Sequence, residues 1–206
     1  LKSVPHSVDV SIHGPSELKR ASGIMRDNRS KDRPKIFAYM MGQDDPRKCT
    51  ASLMVRNGLA IPVRKLSTLS EDAIMLNPVS PRFLLRSDVD NATRCGIVAI
   101  DCSWEKAERV FMRHFRGANR KLPGLLAANP VNYAKIGRLS SAEAVSAALY
   151  ILGFRSRARQ VLGPFSWGKT FFDLNGELLT RYAWARSEES IAMIQLDFGI
   201  ENVQTG

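Results

Sequence analysis

Short apolar runs of strand length recur along the first half of the chain. Pro62 argues for an edge position of the second run, because proline cannot donate to a strand ladder. The runs are apolar on both faces, which is typical of a parallel sheet covered by helices. We therefore predict an α/β layer architecture. The candidate strands are KIFAYMM (35–41), GLAIPV (58–63), AIMLNP (73–78) and GIVAIDCSW (96–104).

Helical spacing appears between and after these runs. SLMVRN (52–57) stops at Gly58 and predicts a short helix. Ser80-Pro81 predicts a helix through the low 80s. The stretch EKAERVFMRHFRGANRK after Trp104 predicts one longer helix, since Ala107, Val110, Phe111 and Phe115 recur at helical intervals.

The second half of the chain carries helical patterns only, with no strand pattern after about residue 131. Ser140 and Glu143 form a capping box before an apolar helix that stops at Gly153. Two more helices are predicted over 155–162 and 171–185. We predict a basic extension over 1–33 with a possible strand at 8–12, an α/β domain over 34–121 and a helical C-terminal domain over 122–206.

Composition narrows the class of protein. The 206 residues are 44% hydrophobic, enough for a substantial core, and no apolar run reaches the roughly 18 residues that span a bilayer. The first ten residues lack the apolar segment of a signal peptide. Three cysteines without a CxxC pair and three scattered histidines argue against a disulfide scaffold or a metal centre. We expect a soluble, cytoplasmic, monomeric protein without a metal ion.

Positive charge is concentrated along the chain. Lys and Arg number 30 against 20 Asp and Glu, a net charge of +10. From Lys106 to Arg138 there are eight basic residues and one acid. This balance favours a polyanionic partner, most often nucleic acid, although a basic soluble protein without such a partner is the alternative.

Four arginines fall at intervals of four, three and four residues after Trp104. On one continuous helix, Arg109, Arg113, Arg116 and Arg120 would share a face. Like charges on one face repel unless an anion lies opposite, which favours RNA, and a solvated face is the alternative.

Two segments are candidates for chemistry, while GxxxxGK[ST], GxGxxG, GxSxG and HExxH are absent. Ile100-Asp101-Cys102-Ser103-Trp104 ends the clearest strand, where ligands of open parallel sheets bind. Asp101 is either a charged partner for a ligand or a helix cap, and Trp104 either an apolar wall or a core residue. The segment 122–133 ends in an irregular turn, which either exposes backbone groups to a ligand or only joins the two halves.

These motifs resemble the small-subunit (16S/18S) rRNA aminocarboxypropyltransferase family. The resemblance runs from about Lys35 to Tyr182, and IDCSW (100–104) and AANPVNY (127–133) are its most distinctive parts. The further matching pieces are DPRKCT (45–50), NGLAIPV (57–63), LNP (76–78), LSSAEAVSAALYILGF (139–154) and FSWGKTFFDLN (165–175).

The resemblance implies a SPOUT-like parallel sheet with a trefoil knot, followed by an all-α C-terminal half. It implies transfer of the 3-amino-3-carboxypropyl group from S-adenosylmethionine to N3 of a (methyl)pseudouridine in small-subunit rRNA during ribosome biogenesis. An RNA methyltransferase on the same scaffold and a non-catalytic ribosome-assembly factor are the alternatives.

The resemblance also implies site residues. Asp101 is the catalytic candidate, either as general base for the N3 proton or as ligand of the methionine ammonium. Lys48, Arg56 and the four arginines above are expected to bind RNA. The cofactor is expected to contact Thr50, Leu76, Pro78, Ile100, Trp104, Leu122, Gly137, Leu139, Ser141 and Ala144.

The chain departs from the family pattern in two places. Residues 51–54, Ala-Ser-Leu-Met, replace a glycine and a lysine pair, which removes basic charge expected near the RNA. Ile136 and Gly137 replace a proline and an aromatic residue, which alters one expected contact of the cofactor pocket.

Overall fold

The computed structural model describes residues 33–41, 49–102, 104–112 and 115–200. The predicted strand at 8–12 lies outside these ranges. The strands are β1 (Ile36–Met40), β2 (Ile61–Val63), β3 (Ile74–Leu76), β4 (Ile97–Asp101) and β5 (Ala118–Arg120). The α-helices are α1 (Thr50–Arg56), α2 (Val89–Cys95), α3 (Trp104–Phe111), α4 (Ser141–Ile151), α5 (Arg155–Leu162), α6 (Gly168–Trp184) and α7 (Glu188–Asp197).

The strands form one parallel sheet in the order β2-β1-β4-β3-β5, which confirms the predicted α/β class. β2 lies at an edge, as Pro62 predicted. β4 lies in the middle and is buried along its whole length. Because residue 101 ends the central strand, any ligand beyond the carboxyl ends of the strands meets it.

Successive β4 side chains enter different cores. Ile97 and Ala99 belong to one hydrophobic cluster, and Val98 and Ile100 to the other. This alternation is the period of two that a strand imposes. α3 contributes to the cluster that contains Val98, whereas α1 and the helices from α4 onward contribute to the cluster that contains Ile97.

The capping box predicted at the start of α4 is confirmed. Ser140 Oγ accepts a hydrogen bond from the Glu143 N–H at 3.3 Å, and Glu143 Oε2 accepts one from the Ser140 N–H at 2.7 Å. α4 ends at Ile151, and Gly153 follows with φ +92°. α4 packs on β4, α1, α5 and α6, so the helical region and the sheet share one core.

The helix predicted through the low 80s is wrong. Arg82 and Leu84 exchange backbone hydrogen bonds of 2.8 Å with Lys121, which extends the pairing beyond β5. Ser80 Oγ accepts from the Arg82 N–H at 3.2 Å and donates to the Asn119 carbonyl at 3.1 Å. These partners lie about 40 residues away, so local spacing could not indicate them.

The single long helix predicted after Trp104 is also wrong. α3 ends at Phe111, and Arg120 lies in strand β5 instead of on a helical face. Gly117 adopts φ +130°, and a side chain there would collide with Met75 of β3. The close approach of residue 117 to β3 therefore replaces helix with strand.

Candidate functional site

A large cavity opens at the carboxyl ends of β3 and β4. Its volume is about 1520 Å³, above the roughly 300–1,000 Å³ of common ligand sites. Residues 76–81 after β3, residues 99–102 at the end of β4, the start of α1 and the segment 120–141 contribute to its lining. The cavity therefore has space for a nucleoside-sized ligand and part of a second molecule.

Every residue expected at the cofactor lines this one cavity, and so does Asp101. The set spans three strand ends, three helix starts and the segment before α4. Its members are Thr50, Leu76, Pro78, Ile100, Trp104, Leu122, Gly137, Leu139, Ser141 and Ala144.

Asp101 is 6% exposed and makes a hydrogen bond with a thiol. Cys49 Sγ donates to Asp101 Oδ1 at 2.9 Å and accepts from the Ser52 N–H at 3.2 Å, which caps α1. Burial raises the pKa of the Cys49 thiol, and the hydrogen bond with Asp101 adds to this shift. The thiol therefore keeps its proton at neutral pH and orients the carboxylate.

Trp104 is held at both its edge and its face. Its Nε1–H donates to the Leu139 carbonyl at 2.9 Å, and the Arg138 guanidinium lies 5.0 Å from its ring centre. These contacts fix the plane of the indole, so it forms a rigid wall of the cavity.

Glu143 is fully buried and binds the segment that separates β5 from α4. Oε1 accepts from the N–H groups of Ala128 and Asn129, at 2.6 and 3.0 Å. Oε2 accepts from Asn129 Nδ2 and from the Ser140 N–H, both at 2.7 Å. A buried carboxylate is stable where it has such a set of donors, and this one joins the loop at 128–129 to the Leu139-Ser140 pair.

The segment that carries Leu122 is anchored by buried polar side chains of α6 and α7. Gln195 Oε1 accepts from the Gly124 N–H at 2.8 Å, and the Tyr182 hydroxyl donates to the Gly124 carbonyl at 3.1 Å. Burial raises the pKa of Tyr182, which keeps the phenol neutral and able to donate. Asn175 exchanges two hydrogen bonds with the backbone of Leu126, at 2.8 and 2.9 Å.

The irregular turn predicted near residue 130 is a short loop, which we call the rim loop (residues 129–135). Val131, Asn132 and Lys135 line the cavity. The Asn132 N–H already donates to Asn129 Oδ1 at 3.0 Å. The N–H groups of residues 128, 129 and 132 thus have protein partners and are not free for a ligand, which favours a structural role for this part of the turn.

The predicted RNA-binding residues fall into separate environments. Lys48 and Arg113 lie outside the described residues. Arg56 at the end of α1 and Arg109 on α3 are exposed, and Arg116 forms an exposed ion pair with Glu71.

Arg120 differs from these because it is largely buried. Its NH2 group lies 2.9 Å from Asp88 Oδ1, and the two side chains are 14% and 10% exposed. This pair joins β5 to the start of α2, which makes Arg120 a structural residue as well as a lining residue of the cavity.

Three residues of the site were missed by the sequence analysis as functional positions. Glu143 was predicted only as a cap, Cys49 only as a cysteine, and Asn77 was noted only within LNP. Asn77 is 7% exposed, and its Nδ2 donates to Asn119 Oδ1 at 3.0 Å. Their partners are 14 to 52 residues away, and no local pattern indicates such contacts.

The ranges that the structure describes contain neither a metal site nor a membrane-spanning helix. There, no three His, Cys, Asp or Glu side chains cluster closely enough to hold a metal ion. Among the helices of those ranges, none combines the length and apolar character needed to cross a bilayer.

Comparison with known proteins identifies relatives over most of the chain. A family model described as "Ribosome biogenesis protein, C-terminal" matches residues 74–199. The 16S rRNA aminocarboxypropyltransferase of Methanosarcina acetivorans is 42% identical over 174 residues, which cover 84% of this chain and 98% of that protein. The protein of the same name from Methanocaldococcus jannaschii is 38% identical and is covered to 96%, with 80% of this chain aligned.

A solved structure is similar as well. The SAM-dependent rRNA:acp-transferase from Vulcanisaeta distributa superposes with a TM-score of 0.75 at 39% sequence identity. The match covers 82% of this chain and 91% of that one.

Proposed function

The chain belongs to the 16S rRNA aminocarboxypropyltransferase family, and from this membership we propose that it transfers the 3-amino-3-carboxypropyl group of S-adenosylmethionine to N3 of a (methyl)pseudouridine in small-subunit rRNA. It is an enzyme of ribosome biogenesis. The observation that carries the proposal is the single cavity at the end of β4, which contains both Asp101 and Trp104 together with the other residues expected at the cofactor.

The cavity fits the chemistry of this cofactor. An aromatic wall at Trp104 and aliphatic or proline side chains at Leu76, Pro78 and Leu122 suit an adenine ring. The buried carboxylate of Asp101 suits the ammonium of the methionine part. S-adenosylmethionine supplies a sulfonium that activates three carbons, so the residues that fix its position decide which carbon is transferred.

In this proposal the protein contributes mainly orientation. Trp104 and the aliphatic residues hold the adenosine, while the start of α1 and the start of α4 approach the polar parts. Thr50 and Ser141 begin these helices, and the Ala142 N–H donates to Thr50 Oγ1 at 3.4 Å. The two helix starts are thereby held together beside the cavity.

Asp101 has two candidate roles that one substitution distinguishes. As an ammonium ligand, Asp101 stabilises bound S-adenosylmethionine but not methylthioadenosine, which lacks the amino-acid part. As a general base, it removes the N3 proton and acts on kcat. Asp101→Asn is expected to lower kcat/KM by about 100-fold or more, the common contribution of such a group.

Calorimetry with the two nucleosides then assigns the role. Weaker binding of S-adenosylmethionine with unchanged binding of methylthioadenosine assigns ammonium binding. Unchanged binding of both with a lower kcat assigns the general base. Full activity of Asp101→Asn excludes both roles.

The RNA is proposed to bind through phosphate contacts with exposed basic residues. Among the described residues, Arg56, Arg109 and Arg116 are the exposed candidates. Lys48 and Arg113 lie outside the described residues, and Arg120 completes the predicted set. Arg120 is the weakest of these, because its guanidinium is committed to Asp88.

Membership of the family also supports a proposal about the path of the backbone. We propose a SPOUT-like trefoil knot, supported by the position of β4 between β1 and β3 and by the packing of α4 on β4 and α1. An experimental structure tests the threading of the backbone.

The division into 1–33, 34–121 and 122–206, the monomeric state and the cytoplasmic location also remain proposals. Stable fragments in limited proteolysis would support the division, and light scattering tests the monomer. The proposed action on rRNA supports the cytoplasmic location, and cell fractionation tests it.

Product analysis tests the activity itself. The protein is incubated with small-subunit rRNA and S-adenosylmethionine labelled in the aminocarboxypropyl group. Methylthioadenosine and labelled rRNA are expected. Release of S-adenosylhomocysteine would instead indicate a methyltransferase, and rRNA binding without either product would indicate an assembly factor.

A further inference from the structure

The rim loop exposes apolar side chains at the mouth of the cavity. Val131 is 82% exposed and lines the cavity, and Tyr133 in the same loop is 57% exposed. Met112 after α3 also lines the cavity and is 76% exposed. Exposed apolar groups beside a site commonly belong to a binding surface.

The backbone of the rim loop is held rigidly. The Ala134 N–H donates to the Ala127 carbonyl at 2.7 Å, and the Ala127 N–H donates to the Lys135 carbonyl at 3.1 Å. Ala134 has φ 60°, the left-handed conformation that residues other than glycine rarely adopt. Such a conformation persists only where the surroundings fix it, and it is common at binding sites.

Side chains are the main groups that the rim loop offers to a ligand, because most of its N–H groups have partners within the protein. The N–H groups of residues 129, 132, 134 and 135 all donate within the protein. Its exposed side chains include the aromatic ring of Tyr133, the aliphatic side chain of Val131 and the ammonium of Lys135. An aromatic ring beside a cation is the usual combination for an unpaired base and its phosphate.

We propose that the rim loop is a second-substrate subsite that binds the RNA nucleotide next to the target base. Tyr133 stacks on an unpaired base, Lys135 contacts a phosphate, and Val131 packs at the cavity mouth. The proposal rests on the proposed function, since it places the target base in the same cavity. The cavity volume of about 1520 Å³ leaves space for that base beside a cofactor.

Three substitutions test the subsite with small-subunit rRNA as the probe. Tyr133→Ala is expected to raise the KM for RNA by roughly 5- to 150-fold, the range for loss of one stacked base. Tyr133→Phe keeps the ring and is expected to stay close to the wild type. Lys135→Ala is expected to reduce the slope of log Kd against log salt by about 0.7.

The matched control is Met193→Ala. Met193 is an exposed apolar side chain on α7, outside both the rim loop and the cavity lining, so this variant is expected to leave the KM for RNA unchanged. S-adenosylmethionine affinity, measured by calorimetry, should be unchanged in all four variants, because the rim loop contacts the second substrate.

Three outcomes would overturn the subsite. The first is an unchanged KM for RNA in Tyr133→Ala, and the second is equal loss in Tyr133→Phe. The third is a parallel loss of cofactor affinity, which would show that the loop acts through the fold. Filter binding of rRNA by the same variants tests the subsite even if the wild type releases no methylthioadenosine, so failure of the proposed function is recognised separately.

Discussion

The inner wall of the cavity and its rim loop differ in how their polar groups are satisfied. The inner wall comprises Asp101, which lines the cavity, and Glu143, which does not line it but binds the lining residues Asn129 and Ser140. Both carboxylates are buried and accept hydrogen bonds from the protein. On the rim loop, four backbone N–H groups have internal partners, while the side chains of Val131, Tyr133 and Lys135 are exposed. The wall is thus built by the folded chain, and the rim presents side chains to a partner.

This difference predicts how substitutions divide. A buried carboxylate costs several kcal/mol to desolvate, so removal of its charge affects both folding and the shape of the cavity. An exposed side chain contributes little to stability, so its removal affects recognition alone. Substitutions in the wall should therefore alter the free energy of unfolding and cofactor binding together. Substitutions in the rim loop should alter only the KM and Kd for RNA.

The largest effect is expected for Glu143→Gln. The variant places an amide NH2 group where one oxygen accepts two donors, so two buried N–H groups lose their acceptor. The free energy of unfolding should fall by about 3 kcal/mol, at about 1–3 kcal/mol for each unsatisfied group. Urea unfolding measures this loss, and calorimetry should show weaker cofactor binding because Leu139 moves with Ser140.

Glu177→Gln is the control for Glu143→Gln. Glu177 is an exposed carboxylate on α6, and its substitution should change stability by less than about 0.5 kcal/mol. Equal stability of the two variants would show that the four hydrogen bonds to Glu143 do not stabilise the inner wall.

An intermediate effect is expected for Trp104→Ala. Loss of an aromatic wall against a base should weaken S-adenosylmethionine binding by about 1–3 kcal/mol. Trp104→Phe keeps a ring but lacks the Nε1–H donor to Leu139, so its loss should be smaller. Calorimetry measures both, with Trp184→Ala as a control, because Trp184 is 40% exposed on α6 and is not among the residues that line the cavity. Unchanged affinity in Trp104→Ala would exclude stacking.

The sequence predicted the parts of the fold that depend on neighbouring residues. The continuous apolar run before Asp101 indicated β4, Pro62 indicated an edge, and Ser140 with Glu143 indicated the start of α4. Each signal lies within a few residues of the structure that it produces. The position of Asp101 and Trp104 beside a cavity followed from the strand end and from the family resemblance.

The errors have a common physical cause. Residues 80–84 have helix-starting chemistry, yet the Ser80 hydroxyl donates to the Asn119 carbonyl, and the backbone of Arg82 and Leu84 pairs with Lys121. Residues 113–120 have helical spacing, yet Gly117 packs against β3 and Arg120 pairs with Asp88. In both cases contacts between residues far apart in the sequence override the local preference for helix. The hydrogen bonds of Glu143 to residues 128 and 129 and the Cys49–Asp101 bond also join distant residues, so no local pattern indicated them.

The smallest effect is expected for Cys49, which acts on the wall only through Asp101. Cys49→Ala removes one weak donor and should lower kcat severalfold, at about 1 kcal/mol for a hydrogen bond, with little change in the KM for RNA. Cys49→Ser keeps a hydrogen-bond donor and should restore kcat. If Cys49→Ala lowered kcat only because it left empty space, serine would not restore it.

A second test of Cys49 uses pH. Because the folded pKa of Cys49 is raised above its ordinary value of 9.0, its contribution to stability is complete below pH 9 and is lost as the pH rises through the folded pKa. In urea unfolding, the wild type should therefore lose stability relative to Cys49→Ser as the pH rises above 9, because serine does not titrate there. Cys95→Ala is the control, since Cys95 ends α2 and is absent from the cavity lining. A Cys49→Ser variant with a kcat as low as that of Cys49→Ala would show that the thiol fills space but does not orient the Asp101 carboxylate. In that case the hydrogen bonds of Glu143, and not the Cys49–Asp101 bond, would determine the shape of the inner wall.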